Sequence, residues 1–175
     1  VQVVGDEEGG SEIDPDEMFD ALRSIDLGAL AENLAIIQAA SEAMPQMWPV
    51  ENGVVTSGFG MRRNPFGRDR WKFHTGIDIG VDYGTPIVST GGGVVTFSDW
   101  DEGHGRTVEI DHGTGIVTRY CHASQLLANP GDEVLAGDMI AWVGSSGMST
   151  GPHLHYEILI DGDKVDPRLY LPLHR

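Results

Sequence analysis

Five side chains suited to metal or proton chemistry sit at three places in the chain: His74 and Asp78 in FHTGIDIG, His122 in TRYCHAS, and His153 and His155 in STGPHLHYEI. On an extended strand, residues two apart share a face, roughly 6–7 Å apart along the chain. His153 and His155 would then line one wall of a cleft, with Leu154 facing the core. Taken alone, such a pair equally describes two packed or surface histidines. His74 and Asp78, four apart, have the same parity in an extended segment, and Gly76 between them would leave room beside a metal. Imidazole and carboxylate both suit zinc. Alternation along TRYCHAS points Cys121 away from His122 and into the core, as a small apolar filler.

A catalytic zinc keeps three protein ligands and one open position, so five candidates leave two imidazoles over. Peptide hydrolysis at such a centre uses extra groups of that kind. One takes a proton from the attacking water, and one stabilises the tetrahedral oxyanion. Spacing does not choose between His153 and His155 as the ligand.

These side chains need rigid elements to hold them. From Gly53 onward, helical periodicity vanishes and most of the glycines follow. Short β-type runs alternate with turn signals: GVVTSGF, TPIVST, GGVVTFSDW, RTVEIDHG, GIVTRYCHA, DMIAWVG and HLHYEILIDG. The pattern predicts a mainly β domain of about seven or more strands, over residues 48–175, with its boundary in the Pro- and Trp-containing stretch at 45–53. Upstream, residues 1–13 read as a disordered acidic lead and 14–47 as a helical segment. Asp14 is placed to cap it, with Pro15 at the first helical position, and Met18, Leu22, Ile25, Leu27, Leu30, Leu34 and Ile37 recur at turn spacing before Pro45. This segment is a helical hairpin or the end of a longer helical region. Its stripe is expected to dock on the β domain or on a partner, or to shield the active site.

Net charge is −16. Residues 1–50 hold eleven acids against Arg23, which gives −10 and leaves −6 for the rest. Such a surface excludes nucleic acid, whose binding rests on neutralised phosphates. No apolar run approaches the roughly 18 residues of a membrane span. The start at Val1, without a Met or a basic leader, suggests a processed or truncated product with a signal or anchor removed. A single cysteine, Cys121, excludes an internal disulfide framework and a cysteine-rich zinc site. His104 and His112, in Gly-rich EGHGRT and DHGTG, are expected to be structural or solvent-exposed, as is His174 at the terminus.

The stretches GVVTSGFGMRRNP, FHTGIDIGVDYGTPIVST, GGGVVTF, GRTVEIDHGTGIVTRYCHAS, NPGDEVLAGDMIAWVGSSGMSTGPHLHYEI and KVDP, from about residue 53 to 167, together resemble the lysostaphin-type zinc metallopeptidases that cleave peptidoglycan peptides. The resemblance implies a compact antiparallel, sandwich-like β fold crossed by a groove. It implies one zinc ion held by His74, Asp78 and His155, with His122 and His153 as the catalytic histidines. It implies an endopeptidase acting on cross-links or stem peptides, either a glycine bridge or a D-alanyl to diaminopimelate link, the latter favoured by analogy with helical upstream regions, in the periplasm or cell envelope, with a membrane anchor or helical region further upstream.

Some relatives instead act as non-catalytic regulators or wall-binding modules that activate other wall hydrolases. Those lack some ligands, whereas all five positions are intact here. Two departures stand out: STGGG after the GTP strand, and NPFGRDRWKF where some members carry an oxyanion-assisting tyrosine. Arg68, Arg70 or Lys72 would have to take its place. Arg62, Arg63, Arg68, Arg70 and Lys72 form the one basic cluster, in the loop leading to His74; it is either a solvated loop or a rim that steers carboxylate-bearing stem peptides. Trp71 would pack or line the groove, and Met148, Ser149 and Thr150 would border it.

Overall fold

The computed structural model describes Asp14 and residues 26–64 and 71–173. The acidic lead, the stripe at Met18, Leu22 and Ile25, and Arg68, Arg70 and His174 lie outside the described residues. The chain divides into two units, Val1–Ile37 and Gln38–Arg175. Helix α1 (Leu27–Ala43) begins where Asp26 Oδ1 accepts from the N–H groups of Gly28 and Ala29, and it stops short of Pro45. Leu27, Leu30, Leu34 and Ile37 are exposed. No helix among the described residues is long and apolar enough to cross a membrane.

The second unit is built of antiparallel strands: β1 (Val54–Ser57), β2 (Gly60–Arg63), β3 (Trp71–His74), β4 (Ile77–Gly80), β5 (Pro86–Val88), β6 (Gly93–Asp101), β7 (Gly105–Asp111), β8 (Ile116–Leu126), β9 (Glu133–Val134), β10 (Met139–Val143), β11 (His153–Ile160) and β12 (Asp163–Val165). The main sheet runs β1-β4-β11-β8-β7-β6-β9, with β12 on β11 and with β10 pairing β5 and β8. Strands β2 and β3 form a separate hairpin. Most of the basic cluster therefore lies not in a loop, as the sequence suggested, but on this hairpin: Arg62 and Arg63 on β2, Lys72 on β3.

Alternation supplies the core. Ile77, Ile79, Leu154, Tyr156, Ile158, Val108, Ile110, Tyr120 and Val143 are buried in one cluster. Tyr120 and Tyr156 satisfy their buried hydroxyls on Thr90 and Thr118, and Thr118 also meets His112.

Strand β8 positions the site. Along one edge it pairs β11 as far as Cys121 and then pairs β10 from Ala123 onward. Along the other edge, Val108↔Tyr120 and Arg106↔Ala123 place one extra residue on β8. The bulge falls at Cys121–His122, and His122 takes φ +65°, a left-handed conformation uncommon for a non-glycine residue. The chain accepts that conformation where β11 hands over to β10.

Candidate active site

Strand register does most of the assembly. Asp78 on β4 lies directly opposite His155 on β11, and Gly80 opposite His153, so the carboxylate and both histidines share one face of the sheet. His74 arrives from the end of β3 through the Thr75–Gly76 turn. A Cβ at Gly76 would collide with the Tyr156 carbonyl oxygen, so the glycine is required by the close pass of the chain over β11 rather than by space near a metal.

His74 Nε2, Asp78 Oδ1 and His155 Nδ1 converge. The separations are 3.1 Å (His74 to Asp78), 3.0 Å (His74 to His155) and 2.9 Å (His155 to Asp78). The partners behind each ring decide which nitrogen faces inward. His74 Nδ1 lies 2.8 Å from the Gly58 carbonyl oxygen, and His155 Nε2 lies 3.1 Å from Glu157 Oε1. Both partners can only accept, so these nitrogens carry the protons and the opposite ring nitrogens present lone pairs.

Three electron-pair donors aimed at one point call for a cation, and nitrogen and oxygen donors about 3 Å apart suit one small ion with bonds near 2.0–2.2 Å, as zinc makes. Burial would raise the Asp78 pKa, but His155 and His74 outweigh it and hold the carboxyl far below its usual range. Burial would lower the His155 pKa, yet Asp78 and Glu157 on either side raise it, so the site favours positive charge.

Behind this group stands a carboxylate that the sequence reading did not single out. Glu157 is fully buried and meets His155, Thr75 Oγ1, Arg119 Nη1 at 3.1 Å and Lys164 Nζ at 3.0 Å. Its place on the histidine face, two positions after His155, was the available signal. Arg62 acts similarly on the other ligand candidate. Its Nη1 donates to Asp78 Oδ2 at 2.8 Å and to Ser57 Oγ at 2.7 Å, which leaves Oδ1 for the histidines.

His122 and His153 stand beside the trio with ring centroids 4.8 Å apart. Each donates Nδ1–H to a backbone carbonyl, His122 to Ser146 at 2.7 Å and His153 to Gly151 at 2.8 Å. His153 Nε2 comes no nearer than 3.7 Å to Asp78 Oδ1, against 2.9 Å for His155 Nδ1, so the geometry separates the two histidines that spacing left equivalent. Burial brings the His122 pKa down to about 4 against the pull of the Ser146 carbonyl. The ring is therefore neutral near pH 7, with Nε2 free to accept a proton.

The groove over these groups encloses about 210 Å³. Arg62, Asn64 and Lys72 line it from the β2–β3 hairpin and its end, Glu102 and His104 from the β6–β7 turn, and Met148 and Thr150 border it. Trp71 is exposed on the outside of the hairpin.

Two expectations need correction. His104 is no bystander in a turn: it lines the groove, stacks on His155 at 5.4 Å between centroids, and its Nδ1 lies 2.8 Å from Asp101 Oδ1. Cys121 lies opposite His155 and so shares the face of Arg119 and Glu157, because the bulge brings His122 round to the side its neighbour already occupies. Burial pushes its thiol up to about 12, which makes it inert filler beneath the groove. His112 is buried, bonded to the Gly92 carbonyl and Thr118 Oγ1, as a structural histidine should be.

Comparison with known proteins gives the family. Residues 72–167 match Peptidase family M23. The chain is 43% identical over 113 residues to the DD-carboxypeptidase/endopeptidase Mpg of Neisseria meningitidis, covering 65% of this chain and 26% of that protein. It is 38% identical over 120 residues to the peptidoglycan DD-endopeptidase ShyC of Vibrio cholerae, covering 69% and 28%. Among solved structures, a zinc-containing peptidase from Vibrio cholerae superposes with a TM-score of 0.66 at 34% identity, over 74% of this chain and 40% of that one. The chain thus spans about a quarter of the length of these curated relatives. With the matched segment running from Lys72 on β3 to Pro167 just past β12, the chain belongs to Peptidase family M23, the lysostaphin-type zinc metallopeptidases that its sequence resembles.

Proposed function

We propose that the chain hydrolyses peptide bonds of bacterial peptidoglycan, outside the cytoplasm in the periplasm or cell envelope, at the D-alanyl to diaminopimelate cross-link or at a D-alanyl-D-alanine terminus. The convergence of three inward-facing lone pairs at His74, Asp78 and His155 carries this reading, and the names of its relatives support it. In this reading those three residues hold the metal. A zinc ion bound there supplies Lewis acidity to water and to the scissile carbonyl.

The remaining chemistry falls to His122 and His153. His122, neutral and with Nε2 unencumbered, accepts the proton that water gives up as its oxygen adds to the carbonyl carbon. With Nδ1–H held on the Gly151 carbonyl, His153 would reach the oxyanion as the imidazolium, donating Nε2–H from its edge of the groove. The C–N bond then breaks, the amine leaves with the proton that His122 holds, and the products are a carboxylate and an amine. No covalent acyl-enzyme is needed.

The test is digestion of purified, diaminopimelate-type cross-linked sacculi with and without a zinc chelator, with muropeptides read by mass spectrometry. Loss of cross-linked dimers that the chelator abolishes is the expected result. His122→Ala and His153→Ala should keep stoichiometric zinc while losing at least about 100-fold in turnover. Wild-type turnover in either variant would overturn its assigned role.

A further inference from the structure

Resting on the peptidase reading above, we propose that Lys72 binds a free carboxylate on the residue that supplies the leaving amine, so that the groove selects amide bonds with an unblocked carboxylate on their leaving side. The register of the β2–β3 hairpin pairs Gly60 with His74 and Arg62 with Lys72, and it puts Met61↔Phe73 and Arg63↔Trp71 on the other face. His74, Lys72 and Arg62 therefore share one face, and all three line the groove, together with Phe73. Lys72 precedes His74 by two positions on one strand, about 6–7 Å along the chain.

The two cations differ in how far they are already committed. Arg62 Nη1 spends its charge on Asp78 Oδ2 and Ser57 Oγ. Lys72 makes no ion pair among the described residues, and its ammonium offers three donors. Glu102 lines the same groove from the β6–β7 turn, so the lining carries both signs and the hairpin supplies its cations. An anionic substrate group is drawn to the hairpin cations and repelled by Glu102. In a chain of net charge −16, an uncompensated lysine beside the metal-ligand candidates has an evident use.

Both bonds named above place a carboxylate there. In a D-alanyl-D-alanine terminus and in a D-alanyl to diaminopimelate cross-link, the carbon bearing the leaving nitrogen also bears a free carboxylate. A glycine bridge does not. One residue beyond the scissile carbonyl is about 3.5 Å along an extended peptide, within the compass of a flexible lysine stem reaching from a neighbouring position on the groove face.

The experiment uses the 175-residue chain loaded with zinc, and two matched substrate pairs. One pair is a stem pentapeptide ending in D-Ala-D-Ala as free acid or as amide. The other is a cross-linked dimer whose leaving diaminopimelate carboxylate is free or amidated. We expect the free acid of each pair to be preferred by about tenfold in kcat/KM, mostly through KM. Lys72→Gln should bring the ratio near one, and Lys72→Arg should retain it.

Equal cleavage of acid and amide by the wild type, or a ratio that survives in Lys72→Gln, would overturn the proposal while leaving the peptidase reading intact. Binding by the metal-free chain separates the two failures. If neither pair is cleaved by zinc-loaded protein, Lys72-dependent tighter binding of the free acids keeps the carboxylate site and removes the peptidase reading. Equal binding of acid and amide removes the site.

Discussion

At the scale of single residues, the site works by fixing tautomers. His74, His122 and His153 each give Nδ1–H to a backbone carbonyl, while His155 alone gives Nε2–H to a carboxylate and so turns Nδ1 inward. Sequence spacing identified the histidines but could not say which nitrogen faced the centre, because that depends on partners at Gly58, Ser146, Gly151 and Glu157 that folding brings into place. Glu157 is the partner with the sharpest consequence. Removing it frees the His155 ring to adopt the other tautomer and takes from Arg119 and Lys164 the anion they share, Arg119 keeping Asp101 and Glu109. Glu157→Ala should lower zinc affinity by about 10–100-fold in competition with a chromophoric chelator. Glu157→Gln, whose amide oxygen still accepts from His155, should recover part of that loss. An alanine variant that is folded by circular dichroism and binds zinc like wild type would show that the carboxylate has no hold on the ligand.

At the scale of elements, strand alternation made most of the main sheet legible. The apolar runs of β6, β7, β8, β10 and β11 read correctly as strands because each buries at least one face, and β11 both. Two elements escaped. The β2–β3 hairpin reads as a basic loop because its strands are short, polar and exposed, with pairing rather than burial to define them. The bulge on β8 has no local signature, since an extra residue exists only relative to the partner strands; simple alternation therefore put Cys121 on the wrong face, while the bulge lets His122 reach the groove all the same. Gly76 shows the reverse, a residue noticed in the sequence for a reason that the strand packing replaced. In Gly76→Ala the new Cβ meets the Tyr156 carbonyl and Glu157 Cγ, both behind His155, so the β3–β4 turn must move and take His74 or Asp78 with it. Urea unfolding should show a loss of about 1–3 kcal/mol together with weaker zinc binding. An unchanged midpoint with unchanged chelator competition would mean that the turn passes β11 with room to spare.

At the scale of the whole molecule, the fold carries buried histidines that must stay neutral, and this sets its response to acid. His112 is the clearest case because it lies apart from the metal-ligand candidates, between the Gly92 carbonyl and the Thr118 hydroxyl. Burial lowers its pKa below the ordinary value of 6.5, with the Gly92 carbonyl and Asp111 pulling the other way. Below pH 6.5 the unfolded chain takes up a proton that the folded chain resists. The His112 contribution is therefore fully present above the unfolded pKa and declines as pH falls, with a slope of at most about 1.4 kcal/mol per pH unit for one proton. Asp78 and Glu157, held far below their usual range, add their acid sensitivity only at lower pH, below about 4–5, where unfolded carboxyls begin to protonate. The two regimes separate in an unfolding series on metal-free protein. Between pH 6.5 and 5, wild-type stability should fall more steeply than that of His112→Gln, whose amide can bond both neighbours without titrating. Below pH 4 the two proteins should lose stability in parallel. Equal slopes in the upper window would assign the acid response to the histidines around the groove, and with it would go the view that the Thr118–Tyr120–Thr90 network depends on a neutral imidazole at its end.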